Sequence, residues 1–255
     1  MKITVVTPTY NEAENLPKLV SALFSLPLDL NILVVDDNSP DGTGRIADEL
    51  SRQDRRLQVL HRPGKMGLRS AYLHAFKRIL QNKDVDVLVQ MDADFSHDPA
   101  VLLDMVQRID TCDVVLGSRY VDGGSVDERW PLSRKCLSAF GNFYSRTILG
   151  FPLRDVTSGY RLWRREVLQS MPLERIRASG YVFQVEMAYL AYCLDYRICE
   201  VPIYFADRRW GKSKISFRIQ VEAAMLVWSV WWHYRDIRKN GRSARQTNSY
   251  NAEPR

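Results

Sequence analysis

The sequence predicts an α/β fold: a mostly parallel sheet with helices on both faces, followed by a C-terminal amphipathic helix. Two observations carry that prediction. Short apolar runs rich in branched residues alternate with helical patterns through the first half of the chain. Acidic motifs follow several of those runs directly, at the strand ends where sheets of this kind bind ligands.

Taken in order, Ile3 to Thr7 reads as a strand. A helix is expected from about Asn15 to Leu26, with Leu16, Leu19, Val20 and Leu23 on one face. Ile32 to Val35 is the second strand and Thr43 to Gln53 the second helix. Leu57 to Leu60, Val85 to Met91 and Val114 to Gly117 are further strands. The second half is less regular. Gly123 to Pro131 reads as a polar loop, Ser133 to Leu149 as a helix and Ile198 to Phe205 as a strand. From Phe217 to Tyr234 a helical stretch carries Phe217, Val221, Ala224, Trp228 and Trp231 at spacings of three and four. The chain from Asp236 onward is polar and lacks periodicity, so a disordered tail is expected there.

Composition narrows the function. The 255 residues carry a net charge of +6, with a basic cluster of Arg235, Arg238, Lys239, Arg242 and Arg245 after Tyr234. Such an excess suits nucleic acid, anionic lipid, a phosphorylated substrate or simply a solvated tail. No nucleic-acid recognition motif is present, so no nucleic-acid partner is expected. Met1-Lys2 runs straight into a short apolar strand, so no signal peptide is expected. No apolar run reaches the roughly 20 residues that span a bilayer. Cys112, Cys136, Cys193 and Cys199 form no CxxC pair and are expected to be reduced, buried, small apolar residues.

Three motifs point to chemistry. Asp92-Ala93-Asp94 follows the apolar run Val87 to Met91. Residues two apart share a face of extended chain, so two carboxylates aim at one point. Their repulsion is relieved by a divalent cation, and oxygen ligands suit Mg2+ or Mn2+. Read alone, the triplet is more often a surface turn with two solvated acids, or a pair of helix-capping aspartates, than a metal site. Asp36-Asp37-Asn38-Ser39-Pro40-Asp41-Gly42-Thr43 again places acids at a strand end. Asp36 or Asp37 could bind a base N–H or a ribose hydroxyl, while Asp41 or Thr43 caps the next helix. Thr7 to Glu12 closes the first strand, where Tyr10 could stack on a base and Glu12 accept from it; Asn11 is an ordinary cap by the plainer reading. Neither GxGxxG nor GxxxxGK[ST] occurs, which disfavours a Rossmann dehydrogenase and a P-loop ATPase.

Together these motifs resemble the family-two glycosyltransferases of GT-A fold, and within them the dolichyl- or polyprenyl-phosphate mannose synthases. Gly117-Ser118-Arg119, Asp155 to Arg161, Gly180 to Met187, Val201-Pro202-Ile203, and Arg208, Gly211, Ser213 and Lys214 extend the likeness from about Ile3 to Trp232. The fold implied is Rossmann-like. The resemblance implies an inverting, metal-dependent transfer of mannose from GDP-mannose to a polyprenyl or dolichyl phosphate. It implies that Pro8, Tyr10, Glu12, Val35, Asp36, Asp37, Asp92, Ala93, Asp94, Arg119, Arg208 and Lys214 bind the nucleotide sugar. Asp92, Asp94 and Ser96 would hold the metal; Ser96 stands where some relatives have a longer glutamine, so its reach would be through water. Arg119, Arg134, Ser138 and Arg208 would bind the acceptor phosphate. Asp94, Asp155, Arg119 and Arg208 are the catalytic candidates. Asp155 is expected to orient the sugar or the arginines, or else to pair structurally with Arg161.

The domains expected are a catalytic domain over 1–216, an amphipathic or membrane-interface helix over 217–235 and a disordered basic tail over 236–255. The lipid acceptor places such a protein at the cytoplasmic face of a membrane, peripherally or through a membrane-anchored partner subunit. The alternatives are transfer of another sugar (glucose, N-acetylglucosamine or an aminoarabinose) and a catalytically silent docking subunit. The intact pair Asp92 and Asp94 argues against the silent subunit.

Overall fold

The computed structural model describes residues 1–207 and 217–238. Its elements are β1 (Ile3–Thr9), α1 (Leu16–Phe24), β2 (Leu30–Asp36), α2 (Thr43–Gln53), β3 (Leu57–His61), α3 (Leu68–Leu80), β4 (Val87–Gln90), α4 (Leu102–Arg108), β5 (Val114–Ser118), β6 (Ser125–Val126), α5 (Leu132–Leu149), β7 (Arg161–Arg164), α6 (Arg165–Ser170), α7 (Gly180–Cys193), β8 (Ile198–Pro202), β9 (Tyr204–Phe205) and α8 (Phe217–His233). Among the described residues the main sheet has seven strands in the order β3-β2-β1-β4-β7-β5-β8. All neighbours are parallel except β7, which runs antiparallel to both β4 and β5. The α/β class and the mostly parallel sheet are therefore as the sequence predicts.

Two cores flank the sheet. On one face Leu16, Leu19 and Leu23 of α1, Ala47 of α2 and Leu102 and Met105 of α4 pack on Ile3, Val5, Ile32 and Val34. On the other, Tyr72 and Phe76 of α3, Val167 of α6 and most of α7 pack on Val6, Leu33, Val35 and Leu60. The alternation of β1 and β2 side chains between these cores is the period-two signature of a sheet buried on both sides.

Several elements differ from expectation. The β7 strand begins and ends in arginine, and α7 is buried on nearly all sides, so neither shows a readable period. The expected long strand from Ile198 to Phe205 is broken at Ile203 into β8 and β9, and β9 leaves the main sheet to pair with β6. Asn11 does not cap α1; it adopts a left-handed turn with φ 63°, and its N–H bonds Ser39 Oγ at 3.1 Å. The cysteine expectation holds for Cys193, which is free and buried, and is corrected at the other three: Cys136 on α5 is free but exposed. Cys112 and Cys199 are disulfide-bonded, because β8 lies beside β5 and brings their Cα atoms to 6.1 Å.

The C-terminal helix is both anchored and exposed. Val227, Val230 and Tyr234 are buried, and the Tyr234 hydroxyl donates to Glu186 Oε1 at 3.0 Å. Arg175 bonds both the His233 carbonyl and the Asp236 carboxylate, and Arg238 lies over the Trp231 ring. Asp236 and Arg238, counted with the tail on sequence grounds, are thus tied to the domain. Residues 239–255 of that tail lie outside the described residues.

Arg161 is the polar keystone of the second half. It is fully buried, and it donates to the carbonyls of Ser158, Gln184 and Val156 at 2.7, 2.6 and 2.7 Å. Burial pulls its pKa down to about 9, partly offset by the charge of Asp155, so the guanidinium is charged at neutral pH. Arg161→Met is expected to lower unfolding free energy by about 3 kcal/mol or more, since three buried carbonyls lose their donor. Urea denaturation would measure this, and a loss within about 1 kcal/mol would contradict the assignment.

Candidate active site

The site is built where β1, β2, β3, β4 and β5 end. At β4 the chain turns through Asp92 to His97. Phe95 takes a left-handed φ of 59°, a strained conformation for a bulky side chain. The turn lets Asp94 Oδ1 accept from the Ser96 N–H at 3.0 Å and from Ser96 Oγ at 2.6 Å. Ser96 is buried, and its hydroxyl therefore orients Asp94. The Asp92 N–H donates to His97 Nδ1 at 3.1 Å, which fixes Nδ1 as the unprotonated nitrogen. The His97 ring stacks on Tyr160 and meets Phe205 edge-on. A Cβ on Gly159 would lie 3.3 Å from His97 Cε1 and 3.7 Å from Asp92 Oδ2, so the loop before β7 packs directly onto this turn. Tyr72 lies buried nearby; its phenol pKa is pushed well up, first by burial and then by the negative charge of Asp92.

The acids after β2 separate into two roles. Asp36 is buried on the α1 and α2 side of the sheet, where its carboxylate accepts from Thr9 Oγ1, the Ser39 N–H and Ser39 Oγ. It holds the turn together. Asp37 emerges on the opposite face, that of Val35; its Oδ2 accepts from the Met66 N–H at 3.2 Å, and its Oδ1 lies 3.1 Å from Arg62 Nε. Asp41 accepts from the Ala13 N–H and from both the N–H and hydroxyl of Thr43, while Thr43 Oγ1 accepts from the Glu12 N–H. The loop after β1 is thereby pinned to the start of α2. Glu12 Oε2 accepts from Asn15 Nδ2, and the exposed Tyr10 ring carries the Lys65 ammonium 4.0 Å from its centroid.

The structure pairs Asp155 with Arg119, not with Arg161. Asp155 Oδ2 accepts from the Arg119 backbone N–H and Nε, and Oδ1 accepts from Nη2, all at 2.7–2.9 Å. Asp155 is buried to 0% exposure, and burial, which by itself would raise its pKa, is outweighed by Arg119, so the carboxyl sits below its ordinary range. Arg119 Nη2 also donates to Thr157 Oγ1. Asn142 of α5 joins this network: its Oδ1 accepts from the N–H groups of Val156 and Thr157, and its Nδ2 donates to Thr157 Oγ1. Glu200 on β8 accepts from the N–H groups of Arg154 and Asp155.

Arg134 and Ser138 lie two turns and one turn before Asn142, on the same face of α5. Arg134 bonds Asp207 at 2.8 Å and stacks 3.6 Å above the Trp130 ring. Of this helix face it is Asn142 that bonds directly into the Arg119 network. Pro8, Val35 and Asp37 share a neighbouring sheet edge, and Ala93 is buried between the two aspartates. Arg208 and Lys214 lie outside the described residues. Arg62, Asn142, Glu200 and Phe205 were not legible as site residues. Each sits outside the acidic motifs and is brought in by packing alone.

Residues 4–171 match the glycosyl transferase family 2. The chain is 42% identical over 240 residues, 93% of its own length and 98% of the relative's, to an undecaprenyl-phosphate mannosyltransferase of Micrococcus luteus. It is 46% identical over 229 residues, 89% of its length and 85% of the relative's, to a polyprenol monophosphomannose synthase of Mycolicibacterium smegmatis. Among solved structures it superposes on glucosyl-3-phosphoglycerate synthase from Mycobacterium tuberculosis, crystallised with Mn2+, UDP-glucose and phosphoglyceric acid. The TM-score is 0.61 at 18% identity, over 90% of this chain and 79% of that one, a likeness of fold.

Replacing Asp155 by Asn leaves Arg119 charged and buried, and is expected to cost about 3 kcal/mol. The folded-state pKa of Asp155 lies below 3.8, so the pair's contribution is complete above that value and lost as pH falls through the lower folded one. The stability gap between wild type and variant should therefore stay constant from about pH 8 to 5 and shrink only below about 3.8. Denaturation across pH checks this; a gap that closes already between about pH 7 and 5 would contradict it.

Proposed function

The chain belongs to glycosyl transferase family 2, and from that premise we propose that it transfers mannose from GDP-mannose to a polyprenyl phosphate, with inversion at the anomeric carbon and release of GDP. One observation carries the reading. The carboxylate turn of Asp92 and Asp94 is intact in a chain that runs nearly the full length of two relatives named for mannosyl transfer to polyprenol.

The residues fit a magnesium or manganese ion. Asp92 and Asp94 follow β4 directly at one strand end, and among the described residues no group of three or more His, Cys, Asp or Glu side chains is placed to hold an ion by itself. A magnesium or manganese ion, which is commonly bound by one or two carboxylates together with substrate phosphate, would suit these residues. Held by Asp92 and Asp94, it would stabilise charge on the departing diphosphate.

The remaining steps belong to the chain. The acceptor is a phosphate monoester with a second pKa near ~6, so its attacking oxygen is largely ionised at neutral pH. A general base is then unnecessary, which agrees with an Asp155 whose oxygens are all engaged by Arg119. Asp155 is a positioning residue: it fixes the guanidinium plane and Thr157 fixes one edge. Arg119 and Arg134 supply cations for the two phosphorylated substrates, with Arg208 and Lys214 as further phosphate ligands. Pro8, Tyr10, Glu12, Val35 and Asp37 hold the nucleoside.

The acceptor's lipid tail calls for a membrane surface. Among the described residues no helix is long and apolar enough to cross a bilayer. Two adjacent helices instead present large apolar side chains outward: Leu132, Phe140 and Phe143 on α5, and Met225, Trp228 and Trp232 on α8. The Tyr144 hydroxyl on α5 bonds the Ala224 carbonyl of α8 at 3.2 Å, so the two stripes lie side by side. Arg235 lies over the Trp232 ring at 4.2 Å. Aromatics flanked by arginines suit the headgroup layer of an anionic bilayer, on the cytoplasmic face where polyprenyl-phosphate acceptors meet nucleotide sugars.

Radiolabelled mannose should pass from GDP-mannose to a polyprenyl phosphate in detergent, with a requirement for divalent metal, and Asp94→Ala should lower the rate roughly 10³-fold. Transfer from UDP-glucose instead would keep the enzyme class and sink the mannose donor. In a separate assay, Phe143→Ser with Trp228→Ser should weaken sedimentation with anionic vesicles roughly tenfold or more, from lost apolar burial. Unchanged vesicle binding would instead point to a membrane-anchored partner subunit as the occupant of this face.

A further inference from the structure

Arg62 stands one residue beyond β3, beside Asp37, which stands one residue beyond β2. Both continue the ladder: the Arg62 N–H bonds the Asp36 carbonyl at 2.8 Å, and the Asp37 N–H bonds the Thr9 carbonyl at 3.1 Å. Alternation puts them on the face of Val35 and Leu60, the same edge as Pro8. The Arg62 side chain is 1% exposed and that of Asp37 9%. Arg62 Nε lies 3.1 Å from Asp37 Oδ1, an ion pair in distance though not aligned as a hydrogen bond. Among the described residues neither Nη1 nor Nη2 of Arg62 has a hydrogen-bonding partner. Four N–H bonds of a buried cation left without acceptors demand an explanation, because such groups are costly. They also sit at the carboxyl edge of the sheet, where the crevice of this fold opens. The exposed Tyr10 and Met66 flank its mouth, and the Met66 N–H fastens Asp37 Oδ2.

We infer that Arg62 and Asp37 together read the base of the donor nucleotide and select a keto base, guanine in the first place. The inference rests on the reading that this edge holds a nucleoside diphosphate sugar. The chemistry is one of complementarity. Guanine presents a donor, N1–H, beside an acceptor, O6; an anionic acceptor beside a cationic fork matches both. Its 2-amino group gives Asp37 a second donor to accept. Adenine presents the reverse order, with acceptor N1 beside the donor 6-amino group, and would set N–H against N–H and carboxylate against a lone pair. Uracil shares the guanine order over a smaller edge, so the pair admits it as the weaker match. Asp37 was expected from the sequence to touch the nucleotide; the discriminating cation is Arg62.

The experiment is calorimetric binding of GDP, UDP and ADP, with divalent metal, to the wild-type protein, Arg62→Met and Arg62→Lys. Lysine keeps a charge against Asp37 without the planar fork, so it guards against a methionine variant that does not fold. Wild type should prefer GDP to ADP, and both variants should reduce that ratio roughly ten- to a hundredfold, as expected when a site built to hydrogen-bond its ligand loses that bond. A structural role alone would weaken all nucleotides together and leave the ratio intact; that result in a folded variant overturns the proposal. Equal affinity of wild type for GDP and ADP overturns it as well. A wild-type preference for UDP over GDP, abolished together with the discrimination against ADP in the variants, would support Arg62 and sink the guanosine donor instead.

Discussion

The second half of the fold depends on one buried cation. Arg161 opens β7, the single antiparallel strand wedged between β4 and β5, and its guanidinium gathers carbonyls from the preceding loop and from α7. Stripping a buried guanidinium of its acceptors is costly, so its three carbonyls resist being released singly. That fixes where the chain from Val156 to Tyr160 runs. It in turn fixes Asp155 on one side and seats Gly159 against Asp92 and His97 on the other. Arg119 and the carboxylate turn are therefore located by the same interaction, though they come from distant parts of the sequence.

Charge is arranged to be held rather than to titrate. Arg119 is buried with a carboxylate that satisfies its Nε, an Nη and its backbone N–H, and Thr157 takes a further Nη bond. A lone arginine at that depth would be disfavoured; a paired one keeps its positive charge and a fixed plane. The cost is that Asp155 is no longer available to carry protons. For an acceptor that is already an anion this is no loss, and the arrangement suits phosphate nucleophiles better than sugar hydroxyls, which need a base.

Legibility in the sequence followed periodicity. The strands β1 to β5 and the helices α1 and α2 were readable because apolar runs end in acids and turns, and the predicted residues Asp37, Asp92 and Asp94 fall at those strand ends; α3 and α4 were not singled out. The second half was not as readable. In β7 the two flanking arginines suggest solvent, whereas both find backbone carbonyls. The helix α7 is buried on almost every side, so no polar face marks its turn. The disulfide depends on β8 lying beside β5, a non-local pairing no cysteine spacing reveals. Arg62 failed for a related reason: its meaning comes from register with Asp37 across two strands, which a linear motif does not contain.

The helix α5 ties the surface to the chemistry. Arg134, Ser138 and Asn142 recur every four residues on one face, where Asn142 bonds Thr157 of the Arg119 network and Arg134 bonds Asp207. Leu132, Cys136, Phe140 and Phe143 recur at nearly the same period on another face and lie exposed. A rigid helix cannot move one stripe without the other. A bilayer that seats the apolar stripe would therefore set the depth of Arg134 and Ser138 at its headgroup layer, where the phosphate of a polyprenyl acceptor resides while its tail stays in hydrocarbon. Under the proposed function the membrane would then be part of the acceptor site. The lipid would not need lifting into a pocket, because the helix proposed to dock the protein also carries Arg134 and Ser138, the residues proposed to meet its phosphate.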